Sequence, residues 1–274
     1  FFIGNCGKKN AEEINRAICY LTARRCSNPD SIRACSMGQD NYAGISHLGI
    51  DIFYDVLEVL ADNKDAFIKH LSAFFEKKTS RKGPEAFYDV TTISFESTRW
   101  GELRMFGFSK DHKNNEIQVV MGLLIDNHGI PITYELFPGN TMDQRTLMTS
   151  VKRLKDLYRL EKITIVADRG LNSGKNMDLD TENWSIDEQK IHEAEKYDGF
   201  YAIITNNMSL STEQASTIYG GLWKIEESFR IMKTDLKARP VFVWTDKHIQ
   251  GHFVMCFLSL CLLRYLQFLI ETQT

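Results

Sequence analysis

A mixed α/β fold is what this sequence predicts, a sheet of order βββαβ flanked by helices, and three observations predict it. Residues 86–95 are rich in Val, Thr, Ile and aromatics. Residues 118–125 and 130–137 flank an Asp126-Asn127-His128-Gly129 turn in hairpin fashion. A short apolar run at 162–167 then follows a segment whose Leu147, Val151, Leu154 and Tyr158 fall on one helical face. A chain of 274 residues, 43% of them hydrophobic, can bury a sizeable core around such a sheet.

Residues 1–47 are polar, cysteine-rich and weakly periodic, so an ill-defined N-terminal arm with one helix at about 11–22 is expected there. The pattern sharpens from Ile50. Ile52, Val56 and Leu60 are spaced by four, Asp62 and Asn63 offer a cap, and Phe67, Leu71 and Phe74 resume helical spacing, which predicts two amphipathic helices. The chain therefore divides into a helical region at 1–85 and a sheet-bearing domain at 86–274. Between them Lys77, Lys78, Arg81 and Lys82 form a basic run that reads either as a solvated linker or as a local nucleic-acid contact.

Within the second region, Asn140 or Thr141 can cap the helix that precedes the fourth strand. Residues 178–198 hold eight acids against two lysines and few apolar residues, an exposed connector. Beyond it the pattern predicts a strand at 199–205, a helix over about 221–237, an apolar run led by Pro240, and a last helix from Asp246. The apolar stretch 253–263 is too short to span a bilayer, and Arg264 and Gln267 interrupt its continuation, so a buried helix and no membrane segment are expected.

Composition narrows the function. A formal net charge of −3 argues against coating nucleic acid by bulk electrostatics, so any such contact must be local. The six cysteines include no CxxC pair and no zinc spacing, which fits thiols in a reducing cytosol. No basic leader joined to a long apolar stretch stands near the start, so no secretory signal is expected. His248 and His252 are spaced by four as metal ligands can be, but with no third ligand nearby in sequence zinc is not expected.

Three acids carry the candidate chemistry. Asp89 lies inside the first strand and Asp168 immediately after the fourth. Either alone reads as a cap or turn former, but in a βββαβ sheet the first and fourth strands can be neighbours, and two carboxylates would then share a site. Glu226 begins a helix whose apolar face is Ile225, Phe229, Met232 and Leu236, while Glu226, Arg230, Lys233 and Lys237 follow the same spacing on another face. That spacing fits an i,i+4 ion pair between Glu226 and Arg230 on a solvated surface as well as a functional site. Convergent carboxylates suit Mg²⁺, a hard ion that takes oxygen ligands and retains waters and phosphate oxygens. Two such ions about 4 Å apart can activate an attacking oxygen and stabilise a leaving one.

The blocks Tyr88-Asp89-Val90-Thr91-Thr92-Ile93-Ser94-Phe95-Glu96, Gly122-Leu123-Leu124-Ile125 through Asp143, and Val166-Ala167-Asp168-Arg169-Gly170 precede a Tyr219, Glu226, Lys233 series at intervals of seven. Together, over about 87–266, they resemble the DDE transposases of bacterial insertion sequences, in the insertion-sequence-four and Tn-five-like superfamily. The resemblance implies an RNase H-like fold and cut-and-paste DNA chemistry with Asp89, Asp168 and Glu226 as catalytic metal ligands. It implies Mg²⁺ as cofactor, with Mn²⁺ able to substitute. It also implies phosphate contacts by Tyr219 and Lys233, with Lys224, Arg230 and Lys237 as further DNA-binding candidates. The partners implied are transposon ends and target DNA, bound by a dimer in the nucleoid of a bacterial cytoplasm.

The sequence departs from the family pattern at two points. Leu222 stands where the signature has arginine, which removes a bidentate phosphate donor. Asp168 and Glu226 stand only 58 positions apart, so the β-rich insertion that members carry there is shortened, at about 171–198. The alternative expectation is accordingly an inactive or internally deleted transposase acting at most as a DNA-binding protein. A nuclease that only hydrolyses is a third.

Overall fold

The computed structural model describes residues 11–42, 47–79, 85–95, 99–107, 117–141, 164–166 and 209–273, together with positions 146, 149, 150, 152 and 203. The expected strand at 199–205 and connector at 178–198 lie outside the described residues, as does most of the helix expected after Thr141.

The N-terminal region is more ordered than its polarity predicts. Helix α1 spans Ala11–Ser27, well past the expected end at 22, and α2 spans Ile32–Met37. In α1 the buried Ile14, Ala17, Ile18 and Leu21 follow helical spacing, and Glu12 and Glu13 at its start and Arg24 and Arg25 at its end complement the helix dipole. The Ser31 hydroxyl caps α2 by accepting from the Ala34 amide at 3.2 Å. What covers α1 comes from far along the chain, so no local pattern could reveal it.

Helices α3, Ile50–Asp62, and α4, Lys64–Lys78, match the two expected. Val56, Leu60 and Phe67 are buried as their spacing predicts, and Ile52 and Leu71 pack partly buried against the same core. Phe53 and Leu57 widen the inward face of α3, and in α4 Phe75 is buried while Phe74 is exposed. Asn63 joins the helices, but its side chain does not cap α4; the amide donates instead to the Val59 carbonyl at 2.8 Å and closes α3.

The sheet comprises β1 (Glu85–Phe95), β2 (Met105–Phe106), β3 (Ile117–Asp126), β4 (Pro131–Pro138) and β5 (Thr164–Val166). Strand β1 runs antiparallel to β3 on one side and parallel to β5 on the other, while β3 carries β4 and the short β2 on its far edge. The expected adjacency of the first and fourth predicted strands is thus observed, as the β1–β5 pair. The hairpin is closed by Asp126, whose Oδ1 accepts from the amides of His128 and Ile130 at 2.9 Å each, and by Gly129 at φ +81°.

Alternation along β1 sends Phe87, Ile93 and Phe95 to the main core and Ala86, Tyr88 and Val90 to a smaller cluster with Val120 and Leu124. On that second face Tyr88 lies over Gly122, and Ser150 donates to the Tyr88 hydroxyl at 3.2 Å.

Further helices follow the sheet in sequence. A capping box of Ser211 and Gln214 opens α5, Thr212–Tyr219. A 3₁₀ turn at Gly220–Leu222 leads into α6, Trp223–Arg230, and a π turn at Ile231–Asp235 ends the run. Helix α7, Asp246–Gln273, begins where expected and runs 28 residues. Composition and length would let it cross a membrane, yet Ile249, Phe253, Phe257 and Leu260 are fully buried in the main core, and Gly251 packs directly on the Leu57 carbonyl of α3. It is the core helix of this fold. Leu263, expected to be buried, is only partly so, and Arg264 beside it is buried instead.

Candidate functional site

Asp89 sits at the fifth position of β1, registered opposite Leu123 of β3 and partly buried. By strand alternation its side chain shares a face with Phe87 and Ile93, which belong to the main core. Helix α6 lies against that face: Ile225 and Phe229 are buried in the same cluster, and Gly221 abuts the Phe87 ring. Asp89 and the helix bearing Glu226 are therefore on one side of the sheet.

Asp168 lies outside the described residues. The nearest described residue before it is Val166, which registers in parallel with Phe87. Phe87 and Val166 are followed, each two positions on, by one of the sequence-predicted acids, Asp89 and Asp168. Among the described residues no group of three His, Cys, Asp or Glu is placed to hold a metal ion.

Glu226 is exposed, and among the described residues it makes no hydrogen bond or ion pair. The i,i+4 pair with Arg230 that its spacing allowed does not form. Arg230, 59% exposed, turns instead to Glu227 at 3.8 Å and Asp235 at 3.4 Å. An exposed carboxylate without a protein cation is free to offer both oxygens to a hard ion.

The predicted stripe of Glu226, Arg230, Lys233 and Lys237 does not run along one continuous α-helix. Lys233 falls within the π turn, whose wider winding departs from the 3.6-residue period, and Lys237 lies beyond it at φ 44°. Lys237 is exposed, and its carbonyl accepts from Arg25 Nη1 at 3.2 Å. Tyr219, partly buried, ends α5. The Lys224 ammonium donates to the Asn127 carbonyl, and its stem lies over Gly129, so it braces the hairpin turn. Leu222 packs partly buried against the main core, an apolar role at the position where the signature has arginine.

The histidine pair does not form a shared site. His252 is buried and donates from Nε2 to the Ala238 carbonyl at 3.1 Å, while His248 Nε2 stands 3.4 Å from Glu58. Burial first, then the Arg25 charge, lower the His252 pKa to about 3, which keeps it neutral.

In the sequence Arg264 stands out only as an interruption of an apolar run. Its side chain is 4% exposed and bonds to Glu227 at 2.7 Å, the Lys224 carbonyl at 2.9 Å and the Ser228 hydroxyl at 2.8 Å, all on α6. The available signal was spacing: Phe257, Cys261 and Arg264 follow the buried face of α7, and a cation on a buried face needs a partner.

A family model for the transposase DDE domain matches residues 81–262. A search of curated proteins finds no match.

Proposed function

Since this chain belongs to the transposase DDE domain family, we propose that it cleaves and joins DNA at the ends of a bacterial insertion sequence, using Asp89, Asp168 and Glu226 as metal ligands on an RNase H-like core. The observation that carries this is the placement of Asp89 on the sheet face covered by the Glu226 helix, with β5 registered so that the next residues of its chain lead to Asp168.

The donor set fits Mg²⁺, and Mn²⁺ in its place: three carboxylates, one of them exposed and without a protein cation among the described residues. The bound ions would supply activation of the attacking oxygen and charge stabilisation of the leaving one. In strand cleavage a water oxygen attacks the scissile phosphorus and the bond to the 3′ oxygen breaks, leaving a 3′-hydroxyl and a 5′-phosphate. In strand transfer that 3′-hydroxyl attacks a target phosphodiester and a new bond replaces the old. The protein's own contribution is to orient the three carboxylates on a rigid sheet and helix. Of the DNA-binding candidates Tyr219, Lys224, Arg230, Lys233 and Lys237, the exposed Arg230 is the readiest to hold a phosphate, whereas the Lys224 ammonium is engaged by the hairpin turn. Two ends must be brought together for transposition, so the DNA complex is a dimer, working in the bacterial cytoplasm.

A second reading rests on Leu222. Its packing against the core leaves no cation at that point of the signature, and with the 58-position spacing this favours a chain that binds and nicks DNA but does not complete transposition. The test is a Mg²⁺ or Mn²⁺ assay on supercoiled plasmid carrying the cognate ends, with Asp89→Asn, Asp168→Asn and Glu226→Gln as controls. Nicking by the wild type that all three substitutions abolish supports the assignment, and joined products single out transposition. Equal nicking by any one variant removes that residue from the site.

A further inference from the structure

We propose that Arg264 is the positioning residue for the Glu226 carboxylate, an inference that rests on the metal-dependent function above. Arg264 comes from α7 but spends its guanidinium on α6. Nη1 donates to Glu227 Oε2 at 2.7 Å; Nη2 donates to the Lys224 carbonyl at 2.9 Å and to the Ser228 hydroxyl at 2.8 Å; Nε donates to the same hydroxyl at 3.3 Å. Gln267, one turn further along α7, accepts from Nη1 at 2.8 Å and holds the fork from behind. The Ser228 hydroxyl donates in turn to the Lys224 carbonyl at 2.8 Å.

The three residues gripped, 224, 227 and 228, bracket Glu226 in sequence and share one side of α6, since i, i+3 and i+4 positions are neighbours on a helix. The grip extends to a third element. Lys224 donates to the Asn127 carbonyl of the hairpin turn, and a side chain at Gly129 would meet both the Lys224 stem and the Arg264 guanidinium carbon at 3.8–3.9 Å. Sheet, α6 and α7 are thus tied at one point.

Glu226 has no hydrogen bond of its own among the described residues, so the rotation of α6 about its axis decides where its carboxylate points. Rotation is what a planar guanidinium bonded to three residues on one side of the helix resists and what a single ammonium cannot. The residue that fixes Glu226 is therefore on another helix, 38 positions later in the chain.

The test compares wild type with Arg264→Lys, Arg264→Gln and Glu227→Gln, and includes Glu226→Gln. Mn²⁺ binding is read from the electron paramagnetic resonance signal of the free ion, plasmid nicking is followed across the same Mn²⁺ range, and metal-free affinity for a DNA duplex and thermal unfolding are measured alongside. The expected result is a half-saturating Mn²⁺ concentration raised about tenfold in Arg264→Lys and Glu227→Gln, as when a partner orienting a metal ligand is removed, with duplex affinity unchanged. A merely structural role would lower unfolding temperature and duplex affinity together and leave the Mn²⁺ requirement of the folded fraction alone. Should the Arg264 variants fail to fold, Glu227→Gln decides. Wild-type half-saturation in that folded variant overturns the positioning role. If Glu226→Gln binds Mn²⁺ as the wild type does, or if neither binds it, the metal-ligand assignment fails and takes the positioning role with it; loss in Glu226→Gln alone removes only the positioning role.

Discussion

Gly221 stands where any side chain would strike Phe87: a Cβ added there would lie 2.6 Å from the far carbon of that buried ring. This contact seats the helix bearing Glu226 on the strand bearing Asp89. Gly221→Ala should therefore destabilise the fold by about 1–3 kcal/mol, the usual cost of overfilling a packed core, and should reduce nicking in the protein that remains folded. Gly220, one residue earlier, has nothing within 4 Å of its Cβ position and no positive φ, so Gly220→Ala should be neutral to within about 0.5 kcal/mol. Urea unfolding of the two variants checks the pair, and equal midpoints would show that the Phe87 contact yields freely.

Gly251 makes an even closer approach, with a Cβ there falling 2.0 Å from the Leu57 carbonyl oxygen. Backbone cannot step aside as a side-chain tip can. Gly251→Ala should force α7 away from α3 at a cost of about 3 kcal/mol or more, at the upper end of overpacking effects. The midpoint of thermal unfolding should drop by many degrees, and a drop comparable to that of an exposed substitution would contradict the packing.

Periodicity was a good guide where the partner of a segment is near in sequence and a poor one where it is distant. The hairpin around Asp126 was legible because its turn chemistry is local, and α7 was legible because its apolar run is long. Residues 11–42 looked weakly structured because α1 packs against α3 and α7, and α2 against α3, all of them later in the chain. The stripe ending at Lys237 failed because a π turn, which no heptad count anticipates, intervenes at Ile231–Asp235. At the candidate site, strand and helix position left Asp89 and Glu226 open to ordinary structural roles and only the motif resemblance singled them out, whereas the bonds of Arg264 join helices at residues 36 to 40 positions apart.

Acid should unfold this protein partly through His252. Its folded pKa is about 3, against 6.5 for an unperturbed histidine, so the unfolded chain binds the extra proton between those values. The stability is fully present above pH 6.5 and is lost as pH falls toward 3, at about 1.4 kcal/mol per unit at most. By pH 5 the loss from this residue should be about 2 kcal/mol. His252→Gln should be less stable at pH 7, having lost a fitted ring, but its stability should fall less steeply between pH 6.5 and 5. Parallel curves for the two proteins, measured by urea unfolding at several pH values, would assign the acid sensitivity elsewhere.

Arg230 and Lys224 should separate cleanly although both are cations of α6. The Arg230 side chain is 59% exposed and its two ion pairs, at 3.4 and 3.8 Å, are of the exposed kind that contributes at most about 1 kcal/mol. If it holds a phosphate, Arg230→Ala should leave stability nearly unchanged and flatten the dependence of log affinity on log salt by about one unit, with similar loss on unrelated duplexes because a phosphate carries no base identity. Lys224 is already committed through the Asn127 carbonyl to the hairpin turn. Lys224→Ala should cost about 1–3 kcal/mol of stability, since it strips a charge-assisted bond from that turn, and should change the salt slope less than Arg230→Ala does. Duplex binding by fluorescence anisotropy from low to moderate salt, beside urea unfolding, measures both quantities. A larger slope change for Lys224→Ala would mean that its ammonium leaves the turn when DNA arrives, and the brace between α6 and the hairpin would then open on binding.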